Sequence, residues 1–255
     1  MNYITDVSNL TKEMYDEIHD KIISDIYNFN LKTDVKDYGI STDILGNILS
    51  FIINIEQTQF YSYVSFSVGY SLTTYNETGF YISSSINYSY SSSKETFDTQ
   101  QQYISNTVDN IISEIKYAPT DLDKVLYVYD YFKINNYICS SSSPNNLYNF
   151  LQTKTQHPNG YHMLLNYIFN KIGITYATVS DGSSYVCDTV KINGNWYFID
   201  VSKDIADNTN CYILKSDNFF AEKGRNTSYS RSNGIGATWE ESISCTDTKF
   251  DWFEG

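Results

Sequence analysis

The sequence predicts an α+β protein, with helices and antiparallel strands grouped along the chain instead of strictly alternating. Two observations carry that prediction. Several segments repeat apolar residues at helical spacing, the clearest being 158–172, while 60–90 and 174–201 show period-two or strand-like patterns. Asn193-Gly194 joins two of the strand-like runs and is the strongest hairpin signal in the chain. A buried helix followed by hairpin-connected strands gives a helix packed on an antiparallel sheet.

From the N-terminus, Met14, Ile18, Ile22, Ile23, Ile26 and Tyr27 recur at helical spacing and predict a helix over 11–29. Ile44, Leu45, Ile48, Leu49, Ile52 and Ile53 predict a second over 41–55, with Thr42 or Asp43 as its cap. Between Phe60 and Tyr90 alternate residues face opposite ways, and Asn76-Glu77-Thr78-Gly79 reads as the turn of a hairpin. Tyr103, Ile104, Val108, Ile111, Ile112 and Ile115 predict a helix over 93–117. Ala118-Pro119-Thr120 then marks a boundary. Thr120 caps the next helix and Asp123 completes a capping box, ahead of Leu122, Val125, Leu126, Tyr129 and Phe132. Residues 139–146 read as a Ser-rich surface loop.

Pro158 suits a first helical turn, where a missing N–H costs nothing. Tyr161, Leu164, Leu165, Ile168, Phe169 and Ile172 then form one apolar face, and Gly173 serves as C-cap. Strands are expected over 174–180, 185–192, 195–201 and 211–217. The tail from Lys223 carries no clear pattern. Two regions follow: 1–118, a small α+β accessory region, and 119–255, the core.

The chain has 255 residues, 41% of them hydrophobic, enough for a substantial core. Only 18% are charged, so much of the polar surface comes from hydroxyls and amides, including those of 25 tyrosines. Tyrosine supplies contact area and a hydroxyl at low entropic cost, which suits protein or glycan contacts. A net charge of −13 disfavours nucleic acid and anionic membranes. No apolar run is long enough to span a bilayer, so no membrane insertion is expected. Residues 1–10 lack a secretory leader pattern, which leaves a cytoplasmic protein or a fragment of a longer surface-exposed chain. The four cysteines, Cys139, Cys187, Cys211 and Cys245, form no C-x-x-C pair, and three histidines, His19, His157 and His162, complete no metal set. No metal or cofactor is expected.

Three pieces of sequence stand in a telling order: Pro158-Asn159-Gly160-Tyr161, Tyr185-Val186-Cys187-Asp188, and Trp196-Tyr197-Phe198-Ile199-Asp200, followed by Cys211-Tyr212-Ile213-Leu214-Lys215-Ser216-Asp217. The set resembles the bacterial transglutaminase-like superfamily, whose motifs run C-x-G-Y, H-A-W-N and W-Y-x-x-D. The resemblance implies a papain-like core in which a cysteine at a helix N-terminus, a histidine and an aspartate converge for acyl transfer. Here Pro158 holds the nucleophile position, Tyr185 the base position, and Asp200 alone keeps the orienting carboxylate. Proline offers neither a nucleophilic atom nor a backbone N–H for an oxyanion. A phenol, with a pKa of ~10, is no base near neutrality. Loss of such a triad costs about a millionfold in turnover.

The expectation is therefore a catalytically inactive member that binds a protein, peptide or surface glycan. Tyr161, Tyr185, Asp200, His157 and Trp196 are the candidate binding residues. A structural spacer of a larger cell-surface or spore-associated protein is the alternative. A hydrolase or acyltransferase with a relocated cysteine is the third reading. Asp200 reads either as a relic carboxylate facing a ligand or as a cap for backbone amides. Trp196 reads as packing or as a platform. Cys187 is expected on the strand face that carries Tyr185.

Overall fold

The computed structural model describes residues 3–75, 78–115, 117–140, 146–156, 158–180, 186–223, 230–231 and 243–252. Contacts group the chain into two units, the first drawn from Met1–Asn54, Phe60–Asp98 and Gly234–Glu241, the second from Ile55–Gln59, Thr99–Asn233 and Ser242–Gly255. The division falls inside one helix, upstream of Ala118-Pro119.

The first unit runs α1 (Lys12–Tyr27), β1 (Lys32–Asp34), α2 (Thr42–Phe51), β2 (Val64–Tyr75) and β3 (Thr78–Tyr90). Its antiparallel sheet has the order β1-β3-β2. Thr11 caps α1 by accepting from the Met14 N–H, which starts the helix where the apolar repeat begins. Ile18, Ile22 and Ile26 are fully buried along one stripe. For α2 the cap is Ser41, accepting from Ile44 N, and not Thr42 or Asp43. Those two residues already have helical geometry, so their side chains cannot reach back to the free N–H groups. Past α1, Phe29 adopts φ +58 and stacks on Tyr90 at 3.8 Å, which turns the chain back toward the sheet two residues before the expected end of the helix. Asn76 and Glu77 of the expected turn lie outside the described residues.

Helix α3 (Lys94–Ile115) begins in the first unit and continues in the second. The second unit adds α4 (Asp121–Ile134), β4 (Ile138–Cys139), α5 (Leu147–Thr153), β5 (Thr155–Gln156) and α6 (Pro158–Ile172). Then follow β6 (Tyr176–Ser180), β7 (Val186–Ile192), β8 (Asn195–Ile199), α7 (Val201–Asp207), β9 (Ile213–Lys215), α8 (Asp217–Glu222) and β10 (Ser230–Arg231). The antiparallel sheet has the order β10-β6-β7-β8-β9, and β4 pairs with β5 in parallel. The architecture is α+β, with a buried helix packed on an antiparallel sheet.

Local chemistry accounts for the ends of these elements. Thr120 caps α4 from Asp123 N, and its hydroxyl donates to the Asp123 carboxylate at 2.6 Å. Gly173 stops α6 at φ +71. Asn193 and Gly194, at φ +52 and +88, form the tight turn between β7 and β8, with Ile192 paired to Asn195. The strand expected to reach Val201 ends at Ile199, because Asp200 caps α7. The strand expected over 211–217 shrinks to Ile213–Lys215, because Ser216 caps α8.

The sheet has two distinct faces. Thr178 and Asp188 face α6. Ala177, Val179, Cys187, Trp196 and Phe198 face the other way and pack with Phe220, Ile243 and Cys245. The C-terminal stretch is bound to this sheet by polar contacts. Lys215 is fully buried, and its ammonium donates to the carbonyls of Phe250 and Asp251 at 2.9 and 3.1 Å. Asp251 accepts from Ser216, and Asp247 accepts from the Tyr197 hydroxyl and the Asn195 amide.

A buried ammonium is tolerated only while its donors are satisfied, and removing it orphans the carbonyls it served. Lys215→Ala is expected to lower unfolding stability by about 3 kcal/mol and to open residues 243–252 to limited proteolysis. Lys215→Met, which keeps the volume, should cost less but expose the same segment. Chemical denaturation and protease mapping check both.

Candidate functional site

The first turns of α6, the middle of β7 and the end of β8 enclose a cavity of about 10 Å³. Pro158, Tyr161, His162, Leu165, Cys187, Asp188, Ile199, Asp200, Val201 and Ser202 form its wall. That volume holds about one water molecule. Pro158 occupies the first helical position of α6, so the helix begins without an N–H at that point. Tyr161 is 1% exposed, and its ring packs on Phe132 and Phe150 at 5.5 and 5.0 Å. Its hydroxyl is buried with no hydrogen-bond partner among the described residues, and burial raises the phenol above its ordinary range.

A buried polar chain joins the helix to the sheet. The Asn166 amide donates to the Thr178 hydroxyl at 2.9 Å, and that hydroxyl donates to Asp188 Oδ1 at 3.1 Å. His162 Nδ1 lies 3.0 Å from the same carboxylate oxygen. His162 and Asn166 are one helical turn apart, and Thr178 and Asp188 are opposite one another across β6 and β7. Burial lowers the His162 imidazole to about 4 and raises the Asp188 carboxyl well above its ordinary value. Both shifts disfavour charge, and a single proton held between carboxyl and imidazole would leave the couple without net charge.

Asp200 sits on the opposite wall, 3% exposed. Its Oδ1 accepts from Lys203 N at 2.9 Å and from Ser202 Oγ at 2.8 Å, capping α7. Its negative charge also pushes up the Asp188 carboxyl and the Cys139 thiol. Cys139 reaches this neighbourhood because β4 pairs beside Gln156, just before α6. Burial is the larger cause of its raised thiol, which stays protonated near neutrality.

Pro158 and Tyr161, one turn apart on α6, thus come together with Asp200, which lies far along the chain. Tyr185 and His157 lie outside the described residues. Trp196 packs in the apolar layer on the other face of the sheet. It is 4% exposed on the face turned away from α6, with Lys191 Nζ 5.8 Å from its ring centroid. Cys187 is likewise a packing residue of that opposite face, because strand alternation turns it away when Asp188 faces the helix. His162 and Asp188 are the residues that sequence reasoning passed over. The available signal was the spacing of His162 and Asn166 on the helix, together with a carboxylate on the strand that the Asn193 turn sets in register.

A second, larger cleft lies at the end of α4. Its volume is about 390 Å³, and Lys133, Asn136, Tyr137, Ile138, Asp204, Ile205 and Asn208 line it. Asn136 and Asn208 both adopt left-handed backbone, at φ +55 and +53. The Asp204 carboxylate is saturated by Thr209 Oγ1, Cys211 N and Tyr212 N. No group of three or more metal-ligating side chains occurs among the described residues, and none of their helices is long and apolar enough to cross a membrane.

No family model and no curated protein matches the chain. Among solved structures, a candidate protease from Parabacteroides distasonis aligns at 12% identity and TM-score 0.32, over 53% of this chain and 37% of its own. A candidate cysteine protease from Cytophaga hutchinsonii aligns at 12% identity and TM-score 0.33, over 57% and 66%. The chain therefore spans less than two thirds of either structure, and similarity at this level carries no functional argument.

The His162–Asp188 couple has a readable pH signature. A histidine whose folded pKa is lowered contributes stability above its unfolded value of 6.5 and loses it on acidification toward about 4. A raised carboxyl contributes below its unfolded value of 3.8 and loses stability as pH rises through its folded value. Together they cancel between those unfolded values wherever the folded Asp188 carboxyl keeps its proton, because folded and unfolded states then each hold one. Above 6.5, over the range in which that carboxyl still holds its proton, native stability falls. Asp188→Asn keeps only the histidine contribution, so its stability climbs toward 6.5 and then levels. The gap between native protein and Asp188→Asn should narrow with rising pH, by up to about 1.4 kcal/mol per unit. Urea unfolding at pH 5 to 8 measures it. A constant gap would show instead that Asp188 is ionised beside a neutral His162.

Proposed function

We propose that this chain is a catalytically inactive transglutaminase-like protein that acts by binding a peptide or glycan. The observation that carries the reading is the content of the cavity at the helix start. The nucleophile position is a proline, the remaining carboxylate is committed to capping α7, and the space between holds about one water. At the helix start an acyl group would meet a proline in place of a nucleophile, in a space with little room for it.

The binding role rests on the neighbouring cleft. Its volume of about 390 Å³ falls in the range of small-ligand sites. The Asn136 and Asn208 side chains are exposed at its edge, with Tyr137 and Ile138 beside them. Amides beside apolar surface suit a ligand that presents hydroxyls or peptide groups and carries little charge. The alternative of a spacer domain draws on the same small cavity and needs no ligand.

Cys139 supports the third reading, since it lies close enough to Asp200 and Tyr161 to interact with both. Its raised thiol weighs against a nucleophile, which works as thiolate.

Amine incorporation and amide hydrolysis are expected to be absent before and after thiol alkylation. Turnover abolished by alkylation and by Cys139→Ser would instead establish a relocated nucleophile. For the binding role, glycan and peptide arrays followed by calorimetry should give ligands whose affinity drops about 10-fold or more in Asn136→Ala and Asn208→Ala, about 1.4 kcal/mol or more. Ligands indifferent to both substitutions would place binding elsewhere, and an empty screen would favour the spacer.

A further inference from the structure

The chain carries a net charge of −13, yet from Thr58 to Ser93 its only charged residue is Glu77. That stretch contains β2 and β3. In the order β1-β3-β2, the strand β2 is an edge. Among the described residues no strand pairs with its outer side. Natural edge strands are usually guarded by lysine, proline or a bulge that twists the edge away. Val64–Tyr75 contains no lysine, no proline and no charge. The register shift between Gly69 and Tyr70 pairs them with Ser85 and Ser83, so the extra residue, Ser84, belongs to β3 and leaves the β2 edge regular. Ser65, Ser67, Tyr70 and Ser71 are exposed along it. Tyr70, 60% exposed, meets Tyr81, 50% exposed, edge to face at 4.8 Å.

We propose that two copies of this chain pair through their β2 edges, antiparallel about a two-fold axis, to form one sheet running through both. A two-fold axis at an edge strand brings the same segment against itself and makes the pairing antiparallel. The occupant is a second copy because of charge. Two acidic chains repel over most of their surfaces, and β2 is a long segment where they can meet without that cost. Backbone N–H and C=O groups along the edge supply the pairing, and the exposed serine hydroxyls keep the separated strand soluble. The association is therefore expected to be reversible and concentration-dependent.

Sedimentation equilibrium over a wide concentration range tests this, with hydrogen exchange on the native protein. A dimer should form on concentration, and amides within 64–71 should gain protection as it does. Ser65→Lys with Ser67→Lys, and Ser65→Glu with Ser67→Glu, should each be monomeric while keeping the native circular dichroism. Mixing the two variants should restore a dimer. A protein that stays monomeric throughout, or a dimer that leaves the exchange of 64–71 unchanged, would overturn the proposal. The exchange measurement decides the matter even if a double variant fails to fold.

Discussion

The buried chain from Asn166 through Thr178 and Asp188 to His162 is the constraint on which the second unit depends. Asn166, Thr178 and Asp188 are nearly inaccessible to water and His162 is part-buried, and each would be costly to bury alone. They reach one another only if α6 lies at one height on β6 and β7 and the strands keep one register. A one-residue slip of β7 would turn Asp188 into the apolar layer and Cys187 toward the helix. The Asn193-Gly194 turn sets that register locally, and the polar chain enforces it at a distance. A single proton shared by the His162–Asp188 couple would let a carboxyl and an imidazole sit inside without net charge.

Asp200 is a buried carboxylate placed at a helix start. Here one oxygen serves the first turn of α7, satisfying an N–H that would otherwise be unpaired. The same charge suppresses ionisation of Asp188 and Cys139 nearby. The surroundings of the cavity therefore favour uncharged groups, the opposite of a site that must generate a thiolate. Pro158 fits this economy, since a helix start without an N–H has one donor fewer to satisfy.

The two units differ in how they meet solvent. The second carries buried polar groups and a C-terminal stretch bound through Lys215, Asp247 and Asp251. The first is a neutral, hydroxyl-rich hairpin over isoleucine-rich helices, with an aromatic group of Phe29, Phe60, Tyr63, Tyr90 and Phe97. The abundance of tyrosine thus divides between core packing, as at Tyr88 and Tyr161, and open surface, as at Tyr70 and Tyr81.

Sequence by itself determined the elements whose signals are local. The isoleucine stripes of α1 and α2, the Pro158 to Gly173 limits of α6, the β2–β3 alternation and the Asn193-Gly194 turn all follow from periodicity or backbone preference. The expectation that Pro158 and Asp200 approach each other came from the resemblance of the motifs, and both residues line one cavity. Short elements escaped: β1, α5, α7 and α8 are each too brief for a periodic pattern, and caps or neighbouring strands hold them instead. Tertiary structure alone decided which way the side chains of the motif face. It sent Trp196 and Cys187 to the far layer, paired His162 with Asp188, and gave Asp200 to the start of α7. Such choices depend on burial and hydrogen-bond partners that lie far apart in sequence, and no local pattern encodes them.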